Sequence, residues 1–217
     1  MGLCLGVVAL ISMTALAEDA QSRGVVTING GRQTVVLRAQ SQVVTPAPKA
    51  PLGLKTIYNN LGTGTNVYNC CSGWTMSGSS SLIGHEWDTA TAFTPKAAVV
   101  LTRIRVAIEY VTGTNGATVT LNTDSGGMPS STILHTWNFT NLHAAGSCCQ
   151  LSVGFMRGIR LKKGKQYWLV ATTPSDTWDA WNVNSTGALG TFAQREDLGS
   201  WSIFTNSSSG AMALYGK

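Results

Sequence analysis

The sequence predicts an all-β protein, an antiparallel β-sandwich of jelly-roll type, and three observations carry that expectation. Apolar and polar residues alternate with a period of two along several short runs, Gly- and Ser-rich turns separate the runs, and no window of twelve residues shows helical periodicity. Charged residues make up only 12% of the 217 positions while Gly alone occupies 24. That composition fits an extracellular β-protein with a hydroxyl- and amide-rich surface and argues against a helical cytosolic enzyme. The chain is long enough for one large sandwich.

In chain order, the first stretch is the apolar run from Leu3 to Leu16, followed by Ala15-Leu16-Ala17 and then by Glu18 and Asp19. It reads as a secretory signal peptide over residues 1–17, cleaved near Ala17. No later apolar stretch is long enough to span a bilayer as a helix. Residues 18–52 form a leader: two β-like runs flank Asn29-Gly30-Gly31, and "TPAPKAP" then places three prolines in seven residues. A tether is favoured over a hairpin that adds to a sheet edge. The sandwich domain is expected over residues 53–217.

Within that domain, "LTRIRVAIEYV" (101–111) puts Ile104, Val106, Ile108 and Tyr110 on one face and Arg103, Arg105 and Glu109 on the other. After a turn at 112–117, "ATVTLNT" sends Ala117, Val119 and Leu121 inward. "DSGGMPS" is the next turn, and "STILHTWNFT" (131–140) puts Ile133, Trp137 and Phe139 on one face. "QLSVGF" (150–155) is a further strand, and "QYWLVAT" (166–172), apolar on both faces, is expected at the centre of a sheet. Short strands near Ala180, Phe192 and Ile203 and the terminal "AMALYG" bring the total to roughly ten.

The order of "TIYNN", the 93–134 segment with its "DSGG-P" loop, "GIRLKKGKQYWLVAT" and "ALYG" resembles the bacterial secreted β-sandwich domains called choice-of-anchor domains. The resemblance covers residues 54–217. It implies the fold and an exported location, and it carries no shared catalytic activity.

Four cysteines follow the signal peptide, as the doublets Cys70-Cys71 and Cys148-Cys149. An even count in an exported chain points to disulfides. Three pairings are open, and a staple between the doublets is preferred over two vicinal bridges because it closes a long loop. Zinc is disfavoured, since adjacent cysteines lack the gap usual between paired ligands.

Four constellations are candidates for chemistry. "TWDAWN" offers Trp178 and Trp181 with Asp179 and Asn182, an aromatic and amide mixture suited to stacking and hydrogen bonding a sugar. The spacing of three sends the two rings to opposite faces of a strand, so core packing is the competing reading. Asn122 and Asp124, beside Gly126 and Gly127, could hold calcium through hard oxygens, against a plain Asx-type turn. "GHEWD" gathers His85, Glu86 and Asp88, which a hydrolase could use, against polar loop residues. The basic run 157–165 reads as a turn and a solvent face, so nucleic acid is not an expected partner despite a formal charge of +5. Sequons at Asn138, Asn184 and Asn206 are read as incidental to a Ser/Thr/Asn-rich surface.

These readings converge on an exported, non-enzymatic module for adhesion, matrix or surface assembly. A carbohydrate-binding module is the alternative and a secreted hydrolase the third choice. The expected partners are a glycan or an extracellular matrix or surface protein, and no cofactor is expected, with calcium as the alternative.

Overall fold

The computed structural model describes residues 24–29, 32–37 and 51–217, with side chains at 33–36 and from 51 onward. The expected signal peptide, Cys4 and the proline spacer up to residue 50 lie outside the described residues. Among the described residues there is no helix. Sixteen strands follow one another: β1 (Gly24–Asn29), β2 (Arg32–Leu37), β3 (Lys55–Asn59), β4 (Tyr68–Ser77), β5 (Trp87–Phe93), β6 (Val99–Val106), β7 (Ile108–Thr112) and β8 (Gly116–Ser125). Then come β9 (Met128–Thr140), β10 (His143–Ala144), β11 (Ser152–Leu161), β12 (Tyr167–Thr172), β13 (Trp178–Asn184), β14 (Leu189–Glu196), β15 (Ser202–Ser208) and β16 (Met212–Gly216). The all-β class read from the alternation is therefore correct.

The strands form a curled twelve-stranded sheet and a four-stranded sheet ordered β11-β6-β16-β3. The large sheet has two limbs. One runs β10-β7-β13-β4-β2-β1 and the other β9-β8-β12-β5-β14-β15, and they meet where Ser77 of β4 pairs with Trp87 of β5. All pairs are antiparallel except β10 with β7. The main core draws Ala117, Val119 and Leu121 of β8 and Leu169 of β12 from the large sheet, with Ile104 and Val106 of β6 and Met212 and Leu214 of β16 from the small one. Burying one such side chain contributes about 1.5–3 kcal/mol.

Three local expectations change. The single strand read over 101–111 is two strands in different sheets, broken at Ala107, whose N–H donates to Ala211 O and whose C=O accepts from Asn182 N. Continuous alternation conceals that break. Past it, Glu109 is buried beneath the segment around Gly146 instead of facing solvent with Arg103. On β9 the register with β8 slips between His135 and Ile133, so Leu134 packs on the core and Ile133 is exposed. The third change concerns the leader. β1 and β2 pair with Asn29 opposite Arg32, and β2 adds to the edge of β4, with Thr34 to Val36 opposite Trp74 to Ser72. This part of the leader is an edge-adding hairpin rather than a tether, because the buried amide of Gln194 holds it. Its carbonyl accepts the Gln33 N–H at 3.0 Å and its amide donates to Gln33 O at 3.0 Å, as a neighbouring strand would.

Where the limbs fold over one another they enclose a smaller aromatic core. Trp74 stacks on Phe192 at 3.9 Å between ring centroids, and Phe192 stacks on Phe204 at 4.8 Å.

Candidate functional site

The "TWDAWN" segment is strand β13, hydrogen-bonded to β4 on one side and β7 on the other. Trp178 and Trp181 do point to opposite faces, and both faces are covered. Trp181 is fully buried in the main core and donates from Nε1 to Ala211 O at 3.1 Å. Trp178 packs with Val35, Val111 and Ala180 under the added hairpin strand. Asn182 donates to Asn69 O and to Glu109 Oε2, each at 3.2 Å. Asp179 is also fully buried, and desolvation raises its pKa well above the ordinary carboxylate value, with the Val111 backbone only partly opposing this. The expected sugar platform of Trp178, Asp179, Trp181 and Asn182 is corrected accordingly: the rings are core, and no face of either is open to a ligand.

Asn122 and Asp124 sit at the end of the β8–β9 hairpin. Asp124 Oδ1 accepts from Gln166 Nε2 and from Trp168 Nε1, both at 2.8 Å, and Oδ2 accepts from Gly127 N at 3.1 Å. Asn122 Oδ1 accepts from Thr120 Oγ1 at 2.6 Å, and its amide donates to Ser130 O at 2.8 Å. Gly126 and Gly127 supply φ of 62° and 83° for the tight turn. Donors thus aim N–H and O–H groups at the oxygens calcium would need, and the turn reading accounts for every polar atom.

"GHEWD" is divided between two surfaces. Asp88 turns inward, where Oδ2 accepts from Arg195 Nε at 2.8 Å and Nη2 at 2.7 Å, and that guanidinium lies 4.7 Å over the Trp201 ring. Burial still leaves the Asp88 pKa raised. His85 is exposed and pairs with Asp197 at 2.9 Å, which raises the imidazole pKa; Glu196 is 3.3 Å away. His85 and Asp88 therefore serve different ion pairs.

Two features escaped the sequence reading. The first is a buried network at one end of the β7-β13-β4 limb. Tyr68 donates from its hydroxyl to Glu109 Oε1 at 2.9 Å, while Gly146 N donates to Oε2 at 2.8 Å alongside Asn182. Desolvation pushes the Glu109 pKa up to about 7, and it pushes the Tyr68 hydroxyl upward as well, reinforced by the Glu109 charge. The sulfurs stand beside this network. A disulfide joins Cys70 to Cys148, with Cα atoms 5.3 Å apart and 78 positions between them in sequence, as the inter-doublet preference expected. Cys71 and Cys149, also expected in a disulfide, are not part of that bridge; Cys149 is buried, with its Sγ donating to Thr65 O at 3.2 Å. A tyrosine beside a cysteine doublet was the available signal, since Glu109 continues the polar positions of Arg103 and Arg105.

The second feature is an outward cleft of about 270 Å³ over the β8–β9 ladder, lined by Thr114, Thr118, Asn138, Thr140, Thr173 and Pro174 among others. Thr118 donates to Asn138 Oδ1 at 3.1 Å, so hydroxyl and amide groups are already ordered there.

Among the described residues no helix is long and apolar enough to cross a membrane. Comparison with family models, curated proteins and solved structures finds no match for this chain.

Proposed function

We propose that the chain is an exported, non-catalytic β-sandwich module of jelly-roll type, of the kind its sequence resembles, acting in adhesion, matrix or surface assembly outside the cell. The observation that carries this reading is how polar chemistry is divided. Two of the buried carboxylates, Asp88 and Glu109, are taken up by Arg195 and by Tyr68, Asn182 and Gly146, and the third, Asp179, is sealed in the core away from any opening. The exposed positions of β9, such as Ser131, Thr132, Thr136, Asn138 and Thr140, carry hydroxyls and amides suited to a polar partner surface. Ile133 on β9 and Phe155 on β11 add exposed apolar side chains at sheet edges, where another chain could pair. Beads coated with the processed protein should be retained on immobilised surface proteins or polysaccharides, with no turnover of glycoside or ester substrates. Turnover that disappears in Glu86→Gln would overturn the reading.

A second reading, carbohydrate binding, is favoured by the cleft of Thr118, Asn138, Thr140 and Thr173, with Pro174 as its apolar wall. Retention on a polysaccharide that falls at least tenfold in Asn138→Ala while the protein stays folded would select it; unchanged retention would discard it.

A further inference from the structure

Three of the four cysteine sulfurs downstream of residue 17 lie within 4.8 Å of one another. Cys149 Sγ is 2.7 Å from Cys148 Sγ and 3.9 Å from Cys70 Sγ, the two atoms of the disulfide. The nearer sulfur is thus Cys148, which is bonded to Cys70. Cys149 is 2% exposed and packed among Val67, Tyr68, Ala107 and Ala211, whereas Cys70 and Cys148 are only partly buried.

We propose that this cluster is a thiol–disulfide exchange site, in which Cys149 attacks the Cys70–Cys148 bridge and converts Cys70 into a modifiable surface thiol. The step balances within the chain. The Cys149 thiol gives its proton to water, and the thiolate forms a bond to Cys148 Sγ. The Cys70–Cys148 bond breaks with its electron pair on Cys70 Sγ, which takes up a proton. The product holds a vicinal Cys148–Cys149 disulfide and a Cys70 thiol, with no net oxidation. β4 is then no longer stapled across 78 positions to the segment that covers Glu109, and Cys70 becomes a site for thiol-reactive small molecules or for a mixed disulfide with an oxidised low-molecular-weight thiol.

The experiment incubates the native, oxidised protein with N-ethylmaleimide, digests it without reduction and maps the linkages by mass spectrometry over time. The expected result is maleimide on Cys70 increasing with time, in step with a Cys148-Cys149 peptide two hydrogens lighter than its dithiol form. Cys149→Ser should slow Cys70 labelling at least tenfold, and Cys71→Ser should leave it unchanged. The proposal is overturned if wild-type Cys70 stays cross-linked to Cys148 throughout while Cys149 becomes fully labelled. It is equally overturned if Cys70 is labelled as fast in Cys149→Ser as in the wild type, or if Cys71→Ser abolishes the labelling. Should Cys149→Ser fail to fold, the wild-type time course decides alone.

Discussion

In the β9-β8-β12 limb, Val119, Leu121 and Leu169 face the main core, and threonines such as Thr118 and Thr120 occupy the opposite face. In the β7-β13-β4 limb the strands bury Glu109, Asp179 and Asn182 alongside Trp181 and Met76. The first limb is held by non-directional apolar burial, which tolerates repacking. In the second, Tyr68, Gly146 and Asn182 satisfy a specific carboxylate, so one arrangement of strand, loop and disulfide is selected over near alternatives. The difference teaches that this fold uses polar contacts where its topology is least regular, at the sheet switch of Ala107 and beneath the Cys148 segment.

The comparison can be broken most forcefully at Trp181, where both kinds of contact meet. Trp181→Ala removes a fully buried indole and its bond to Ala211 O, and should cost about 3–5 kcal/mol by chemical denaturation. A loss under about 1 kcal/mol would mean that the ring is not core.

Next in size is a pH effect at Glu109 of the polar limb. The folded-state pKa of Glu109 is raised from 4.5 to about 7, so the folded protein prefers the protonated form. Its contribution to stability is fully present below about pH 4.5 and is lost as pH rises towards 7, an effect of about 3 kcal/mol. Unfolding curves at pH 4 and pH 8 should diverge by that much more in the wild type than in Glu109→Gln. Equal pH dependence in the two proteins would remove the polar network from the account.

A smaller effect is expected at the added hairpin. Gln194→Ala leaves the Gln33 N–H and C=O without their side-chain partner and should cost about 1–3 kcal/mol, with faster hydrogen exchange at the Gln33 amide. In the apolar limb the outward face should be nearly silent, and Thr118→Val should change stability by no more than about 0.5 kcal/mol.

The same contrast explains what was legible. β8 could be read from alternation and β12 from a run apolar on both faces, because each pairs on both sides and Val119 and Leu121 keep the expected face. The slip at Ile133 and the break at Ala107 leave no mark on the pattern, since a bulge changes facing without changing composition. β4, "YNCCSGWTMS", lacks clean alternation because the hairpin, β13 and the aromatic core around Trp74 cover much of it. The candidate sugar site failed for a non-local reason. Whether Trp178 is exposed depends on Val35, more than 140 positions earlier, and spacing within "TWDAWN" carries no information about that cover. The inter-doublet bridge was legible, by contrast, because cysteine count and loop length bear on it directly.

The Glu109 carboxylate is sealed inside the β7-β13-β4 limb, and its side-chain carboxyl carbon reports on that burial directly. Followed by NMR through a pH titration and identified by its absence in Glu109→Gln, that resonance should titrate with a midpoint near 7. A midpoint near 4.5, the ordinary value for glutamate, would place the side chain in water and contradict the account.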